Sequence, residues 1–452
     1  MSVHDAPHRG TVVVIGGGIA GTLAAWALRG HAARVLVVER GTYPAAPDFR
    51  DGVPQGRHAH LLLEGGHRAL EAMMPGIRAE LAAAGAVSVR MSGDHGLRWL
   101  SSAGWMAPHA TDLAFLSCTR PVIDHVVRAR LYDESAVRTV DGTDIEFLQN
   151  AAVVGLLGDA RAVSGVRIRT RGHLTESRLS AELVVDASGR RSLLSTWLTE
   201  LGFSPIPTEI VDAHVAYRTR LVHRQPDPDC GFTALYLQAS RSAPFTGVLL
   251  PVEGDRWIVS LGAMGRGREP APGTAGFEHL LTQLRDPLLR EVLRDAEPAS
   301  GVRGFRPGPS MRRHLEHRYT PAGIVALGDA ATTLNPVYGQ GITVAARSAQ
   351  ALRAAVERHH GIGHAAARAA RQAIAATSRD AWLMSSAEDA RYTGVPTGPL
   401  IRTQHRLLDR VLDRVTSDVR VTAAFERVMS LVAPPTALLH PSILASVLAG
   451  SR

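Results

Sequence analysis

A β-branched run, Thr11 to Ile15, breaks directly into Gly16-Gly17-Gly18-Ile19-Ala20-Gly21, and the chain continues as a small-residue stretch to Leu28 that Gly30 stops. This strand, glycine turn and helix constrain the fold more than any other feature of the sequence. The turn fits G-x-G-x-x-G. Gly16 permits the tight bend, Gly18 lets backbone N–H groups approach a pyrophosphate, and Gly21 lets helix and strand pack closely. The helix N-terminus, at Ile19 and Ala20, then presents its positive dipole end to the phosphates. A second strand, Arg34 to Glu39, ends on an acid 23 residues after Gly16, where an acceptor for ribose hydroxyls belongs, and Arg40 follows it. The spacing predicts a dinucleotide site in a Rossmann-like unit.

A second constellation selects the dinucleotide. Gly328-Asp329-Ala330-Ala331 closes a strand, Gly323 to Leu327, and Asn335-Pro336-Val337-Tyr338-Gly339-Gln340-Gly341 opens a long helix near Ile342. A carboxylate at a strand end can bind the ribityl hydroxyls of a flavin. The helix N-terminus, with Pro336, Gly339, Gln340, Gly341 and Ile342 around it, points partial positive charge at the pyrimidine edge of the ring and favours its anionic reduced form. FAD is therefore the expected cofactor.

The 452 residues suggest roughly three structural units. Residues 151–187 read as a β-meander: Ala152 to Leu157, Val163 to Arg169, a turn at Arg171-Gly172, and Glu182 to Ala187. Phe232 to Gln238, Thr246 to Pro251 and Trp257 to Gly262 alternate as an antiparallel sheet with one solvated or ligand-facing side. From Ile342 onward the pattern is helical, broken at Gly361-Ile362-Gly363, Gly394 to Pro399 and Pro434-Pro435. The expected class is mixed α/β: a Rossmann-like FAD-binding domain, an inserted antiparallel-sheet substrate domain and C-terminal helices. Residues 1–75, 116–200 and 301–350 are assigned to the first, 76–115 and 201–300 to the second, and 351–452 to the helices.

Charge and composition exclude several classes. All 50 cationic residues are arginine, which removes mechanisms that need a protein lysine, such as pyridoxal Schiff bases, class I aldolases and P-loops. The arginines are dispersed. Even the local excess from Arg303 to Arg318 lacks interleaved aromatics, so no nucleic-acid groove is expected. Two cysteines, Cys118 and Cys230, are too few for a disulfide framework or a zinc site, and fit a reducing cytoplasm. Thr11 to Leu28 is apolar enough to resemble a leader, yet holds successive glycines and no convincing cleavage pattern. No segment is long and apolar enough for a membrane span.

With these residues in place, the chain resembles the class A FAD-dependent monooxygenases, the fold shared by para-hydroxybenzoate hydroxylase and squalene epoxidase, over nearly its whole length. Val185-Asp186-Ala187-Ser188-Gly189-Arg190-Arg191-Ser192 is similar to the second fingerprint of that family, with Asp-Ala-Ser-Gly where Asp-Gly is usual. The resemblance implies that Asp186 belongs to the cofactor site and that Arg120, before the helix Pro121 to Leu131, contacts FAD. Gly52-Val53-Pro54-Gln55-Gly56-Arg57-His58-Ala59-His60-Leu61-Leu62, together with Pro434-Pro435 and Leu438 to Pro441, resembles bacterial epoxidases of polyether and related natural-product pathways, and places Arg57 in the cofactor site.

The resemblance implies that NADPH or NADH, binding transiently, reduces FAD, and that O2 reacts to a C4a-hydroperoxide whose distal oxygen passes to a double bond or ring. The implied substrate is a lipophilic polyketide or terpenoid intermediate, and epoxidation is the leading chemistry. Aromatic hydroxylation, or an oxidase or reductase of the same fold that inserts no oxygen, are alternatives; a silent flavoprotein is a third class. The related halogenases rely on a lysine and a Trp-x-Trp-x-Ile-Pro signature, and both are missing. The substrate region shows no acid–base constellation, which leans toward an alkene. No metal is expected at His58 and His60. Trp99, Trp105 and Trp257 are candidates for either the core or the cavity wall, and Cys118 for a buried small residue.

Overall fold

The computed structural model describes residues 10–136, 142–159, 161–224, 230–317 and 319–449. Its central sheet has five parallel strands in the order Ile324–Ala326, Leu183–Asp186, Thr11–Ile15, Arg34–Val38 and Asp144–Leu148. Val12 to Val14 and Leu183 to Val185 have no exposed surface, as strands covered on both faces require. Helix Ile19–Leu28 is buried at every residue except Ala20. The apolar stretch that could pass for a leader is therefore the centre of the core. Trp26 anchors the helix by donating from Nε1 to the Met73 carbonyl at 2.9 Å.

The expected meander needs one correction. Its three antiparallel strands are Ala151–Gly158, Val163–Thr170 and Ser177–Ser180. The run Glu182 to Ala187 instead leaves the meander and supplies Leu183–Asp186 to the parallel sheet, between Thr11–Ile15 and Ile324–Ala326. Burial explains the exchange. Leu183 to Asp186 is buried without alternation, the signature of a doubly covered strand, whereas Ser177–Ser180 is largely exposed and carries no hydrophobic pattern.

A second sheet of six strands runs Arg303–Phe305, Ala216–His223, Arg256–Ala263, Phe245–Val252, Ala234–Leu237 and Leu97–Leu100. All pairs are antiparallel except the last. One face buries Leu235, Leu249, Val259 and Leu261 with Phe277 of helix Gly273–Gln283. The other face is shared. Ala234, Leu250 and Ile258 pack with Val411, Val421 and Phe425 of the C-terminal helices, and the remainder lines a cavity. Helix His364–Asp389 lies along Gly341–Arg358, which in turn packs on Ile19–Leu28. No helix among the described residues is long and apolar enough to cross a membrane.

A Cβ on Gly21 would lie 1.8 Å from the Gly16 carbonyl oxygen, so helix and strand would have to separate to admit one. Gly21→Ala is expected to cost ~1–3 kcal/mol, as overpacking of a close-packed core does. Denaturant unfolding measures it, and wild-type stability would contradict the close approach.

Candidate active site

Three loops meet at the C-terminal ends of the central strands, where open α/β sheets bind their ligands. Gly16 adopts φ +93°, and a Cβ there would stand 2.8 Å from the Ala187 carbonyl oxygen. A Cβ on Gly328 would stand 2.8 Å from that of Ala20. The loops after Thr11–Ile15, Leu183–Asp186 and Ile324–Ala326 are thus in contact. At their centre a Cβ on Gly18 would meet no atom within 4 Å, and no side chain caps helix Ile19–Leu28. An uncapped helix N-terminus beside open space is a cradle for an anion.

Glu39 is buried beside this cradle. Oε2 accepts from the Gly17 N–H at 2.9 Å and pairs with Arg50 at 3.0 Å, while Oε1 accepts from the Gly41 N–H at 2.9 Å. A carboxylate offers about four lone-pair positions, so one remains for a ribose hydroxyl. Arg50 also donates to the Gly17 carbonyl and stacks over Tyr43, whose hydroxyl donates to the same carbonyl. Neither Arg50 nor Tyr43 was marked by the sequence, since nothing in their spacing distinguishes them from ordinary loop residues. Arg40 is exposed and donates to the Gly52 carbonyl at 3.3 Å; Arg57 is exposed over the Phe49 ring.

Asp186 lies at the end of strand Leu183–Asp186, beneath the first loop. Its side chain is wholly enclosed and accepts from the Ser188 N–H, the Ser188 hydroxyl and the Ser192 hydroxyl. It shapes the loop beneath Gly16. Asp329 differs, because its carboxylate accepts no hydrogen bond from the described residues. Burial raises its pKa, against the opposing pull of Arg120, Arg190 and Arg313. Arg120 is itself oriented by Asp124 at 2.6 Å.

The turn Pro336–Tyr338 follows, and Asn335 caps it by accepting from the Val337 N–H at 3.1 Å. Gly339 adopts φ +65°, and helix Gly341–Arg358 then begins with no side-chain cap. Gln340 is buried with its Oε1 unpartnered, and a Cβ on Gly341 would meet nothing within 4 Å; Ile342 is buried in the core. An orphaned buried acceptor next to an uncapped helix N-terminus and open space fits a polar ring edge. Together with the free Asp329 carboxylate and the Gly18 cradle, the residues present fit FAD.

A cavity of about 80 Å³, open to solvent, adjoins the turn. Pro336, Val337 and Gly339 form one side, His58 to Leu61 a second, and Tyr217, Tyr236, Thr246, Val248, Leu250 and Ser260 of the six-stranded sheet the third. His58 bonds Thr219 at 2.8 Å, Thr219 bonds Ser260 at 2.6 Å, and the His58 ring packs edge-on to Tyr217. His60 Nδ1 lies 2.8 Å from the His58 carbonyl, which can only accept, so Nδ1 carries the proton and Nε2 is an acceptor. Burial lowers the pKa of both imidazoles to about 3. At His58 the neighbouring His60 imidazole and the positive Arg218 and Arg57 act in the same direction, and Arg120 does at His60. The expected lack of acid–base groups is thus corrected in part: two imidazoles stand at the wall, both weak bases, and no side chain lining the cavity is charged.

Trp99, Trp105 and Trp257 are absent from the cavity lining. Trp99 and Trp257 are core residues on opposite faces of the sheet, and Trp105 packs against the same core as Trp257. Cys118 is buried, and burial pushes its thiol up.

Residues 14–74 match the NAD(P)-binding Rossmann-like domain. The chain is 29% identical over 433 residues to Protein Rv3254 of Mycobacterium tuberculosis, covering 93% of this chain and 89% of that protein. The structure resembles the flavin-dependent brominase Bmp2 with a TM-score of 0.69 at 15% identity, over 97% of this chain and 98% of that one. It resembles p-nitrophenol 4-monooxygenase PnpA from Pseudomonas putida with a TM-score of 0.64 at 16% identity, over 95% and 99%. The chain has the fold of the flavin-dependent monooxygenases and brominases.

Within this flavin-monooxygenase fold, the uncharged cavity is a stable property of the site. The depressed imidazole pKa values mean that folding favours neutral His58 and His60. Their contribution to stability is full above the unfolded value near 6.5 and is lost as pH falls toward 3. Histidine NMR titration is expected to show both rings uncharged from pH 8 to about 4; a midpoint near 6.5 for either ring would contradict the buried, desolvated placement.

Proposed function

We propose that this chain is an FAD-dependent monooxygenase that draws electrons from NADPH or NADH and transfers one oxygen atom of O2 to a lipophilic natural-product intermediate of polyketide or terpenoid type, by epoxidation of an alkene. The observation that carries the reading is continuity: the turn that opens helix Gly341–Arg358 is at once the end of the dinucleotide crevice and a wall of an uncharged cavity. When bound, FAD supplies the electron storage and oxygen transfer. The chain supplies binding, orientation and exclusion of water.

In this reading the N–H groups at Gly18 to Gly21 hold the pyrophosphate, Glu39 gives its remaining lone pair to the ribose, and Asp329 takes the ribityl hydroxyls. The uncapped N-terminus at Gly341 and Ile342 faces the pyrimidine edge, and Arg120 holds positive charge beside the cofactor. Residues 1–75, 116–200 and 301–350 form the FAD-binding domain, 76–115 and 201–300 the substrate domain, and 351–452 the C-terminal helical region, in a cytoplasmic enzyme. His58 and His60 orient a substrate through hydrogen bonds without drawing a proton from it at neutral pH. This favours an alkene over a phenol, whose oxidation benefits from a base.

Two of the structurally similar proteins are named for halogenation, a brominase and the halogenase CmlS. Halogenation is the weaker reading here, because no lysine exists in the chain to serve as the halogenases' active-site lysine does, and Trp257 lies in the core.

Asp329→Ala is expected to purify largely free of FAD while the wild type carries it; full flavin occupancy in the variant, read from the visible spectrum, would overturn the assignment. Glu39→Ala removes the acceptor offered to the ribose together with the bonds to Gly17, Gly41 and Arg50. Its FAD affinity falls by ~1–3 kcal/mol, the scale of a lost hydrogen bond to a charged group, and titration of the apoprotein with FAD measures it.

A further inference from the structure

The C-terminal helices reach the Asn335–Gly341 turn through hydrogen bonds at Asp389. Asp389, at the end of helix His364–Asp389, has no exposed surface. Its Oδ1 accepts from Asn335 Nδ2 at 2.6 Å and from the Tyr338 hydroxyl at 2.9 Å, and its Oδ2 accepts from the Ser310 hydroxyl at 2.9 Å. Asn335 and Tyr338 are the two ends of the turn whose Pro336, Val337 and Gly339 line the cavity.

The arrangement leaves the turn no freedom. The Asn335 amide is committed at both atoms, its Oδ1 to the Val337 N–H and its Nδ2 to Asp389, so its orientation is settled. On the cavity side a Cβ at Gly339 would stand 3.0 Å from Leu61 Cδ1, so the turn is already in close contact there. Movement in either direction breaks a buried hydrogen bond or a packed contact.

The chemistry of the clamp is costly for a residue that only fills space. Every group hydrogen-bonded to Asp389 is neutral. The nearby guanidinium of Arg391 is committed to Glu388 and Asp409, each at 2.7 Å. Burial pushes the Asp389 carboxyl up to about 6, and the charge of Glu388 acts in the same direction. An apolar residue would serve packing better than an enclosed carboxylate with neutral partners. What the carboxylate provides is two acceptor atoms that can take three donors at once.

We propose that Asp389 is a positioning residue that fixes the Asn335–Gly341 turn, so that the C-terminal helices set the geometry of the cofactor loop. This rests on the flavoprotein reading above. Asp389 touches neither the cofactor nor the substrate. It acts through Asn335 and Tyr338 on the start of helix Gly341–Arg358.

The test compares the wild type, D389N and the exchange N335D/D389N for FAD affinity of the apoprotein and for the visible spectrum of the bound flavin. D389N can keep Oδ1 as acceptor for Asn335 and Tyr338 and turn its amide N–H to the Ser310 hydroxyl, so that three hydrogen bonds to a carboxylate become neutral ones, and it is expected to weaken FAD binding about tenfold and to shift the flavin bands. The exchange keeps one carboxylate and one amide in contact with their places traded, and is expected to restore affinity to within about threefold together with the wild-type spectrum. A D389N protein with wild-type affinity and spectrum would overturn the proposal, as would an exchange no better than D389N. Should D389N fail to fold, the exchange decides alone. A folded exchange with wild-type spectrum supports the clamp, and one with an altered spectrum and weakened FAD binding refutes it. Wild-type protein that takes up no FAD is a different failure, which removes the flavoprotein reading and the proposal with it.

Discussion

Helix Ile19–Leu28 reaches the strand Thr11–Ile15 only because Gly21 has no side chain to hold it off the Gly16 carbonyl. The rest of the molecule follows from that contact. It brings the helix N-terminus over the strand end and leaves the space at Gly18 open. It also sets Ala20 against Gly328, and thereby fixes the distance between the first loop and the loop of Asp329. Helix Gly341–Arg358 then packs on the same helix, carrying the turn at Asn335–Gly341 to its place.

Two electrostatic environments lie side by side. Around the crevice, Asp329 sits in the field of Arg120, Arg190 and Arg313, which suits a site that must neutralise phosphates and hold polyol hydroxyls. Across the turn the cavity holds only neutral groups, its imidazoles kept uncharged by burial first, and then by Arg218 and Arg57 at His58 and by Arg120 at His60. A charged crevice beside a neutral cavity suits a cofactor with an ionic tail and a substrate with little polarity. The few hydroxyls and the acceptor at His60 then provide orientation.

The parts legible in the sequence are those where backbone geometry restricts the residue. Gly16, Gly18 and Gly21 each occupy the position their spacing predicts, and the doubly buried strands show as unbroken apolar runs. Three strands of the six-stranded sheet, Ala234–Leu237, Phe245–Val252 and Arg256–Ala263, were legible from alternation. The misassigned strand at Leu183–Asp186 was itself detected, and only its partner was wrong, because pairing depends on long-range contacts that periodicity does not carry. Asp389 and Arg50 were invisible for a related reason. Each acts on a loop distant in sequence, 54 residues away for Asp389 and Asn335, and neither sits in a local pattern. The three tryptophans show the converse error, since a large aromatic reads alike whether it packs in a core or lines a cavity.

The proposed function is oxygen transfer from a flavin bound in the crevice to a substrate held in the cavity. Its most direct test is the reaction of the anaerobically reduced, FAD-loaded protein with O2, followed by stopped-flow absorbance. The expected result is a transient spectrum distinct from both reduced and oxidised flavin, persisting before the oxidised bands return, because oxygen transfer proceeds in more than one step on the flavin. Direct, monophasic return to oxidised flavin, in the presence as in the absence of lipophilic alkenes, would contradict oxygen transfer and assign the same fold to an oxidase or reductase.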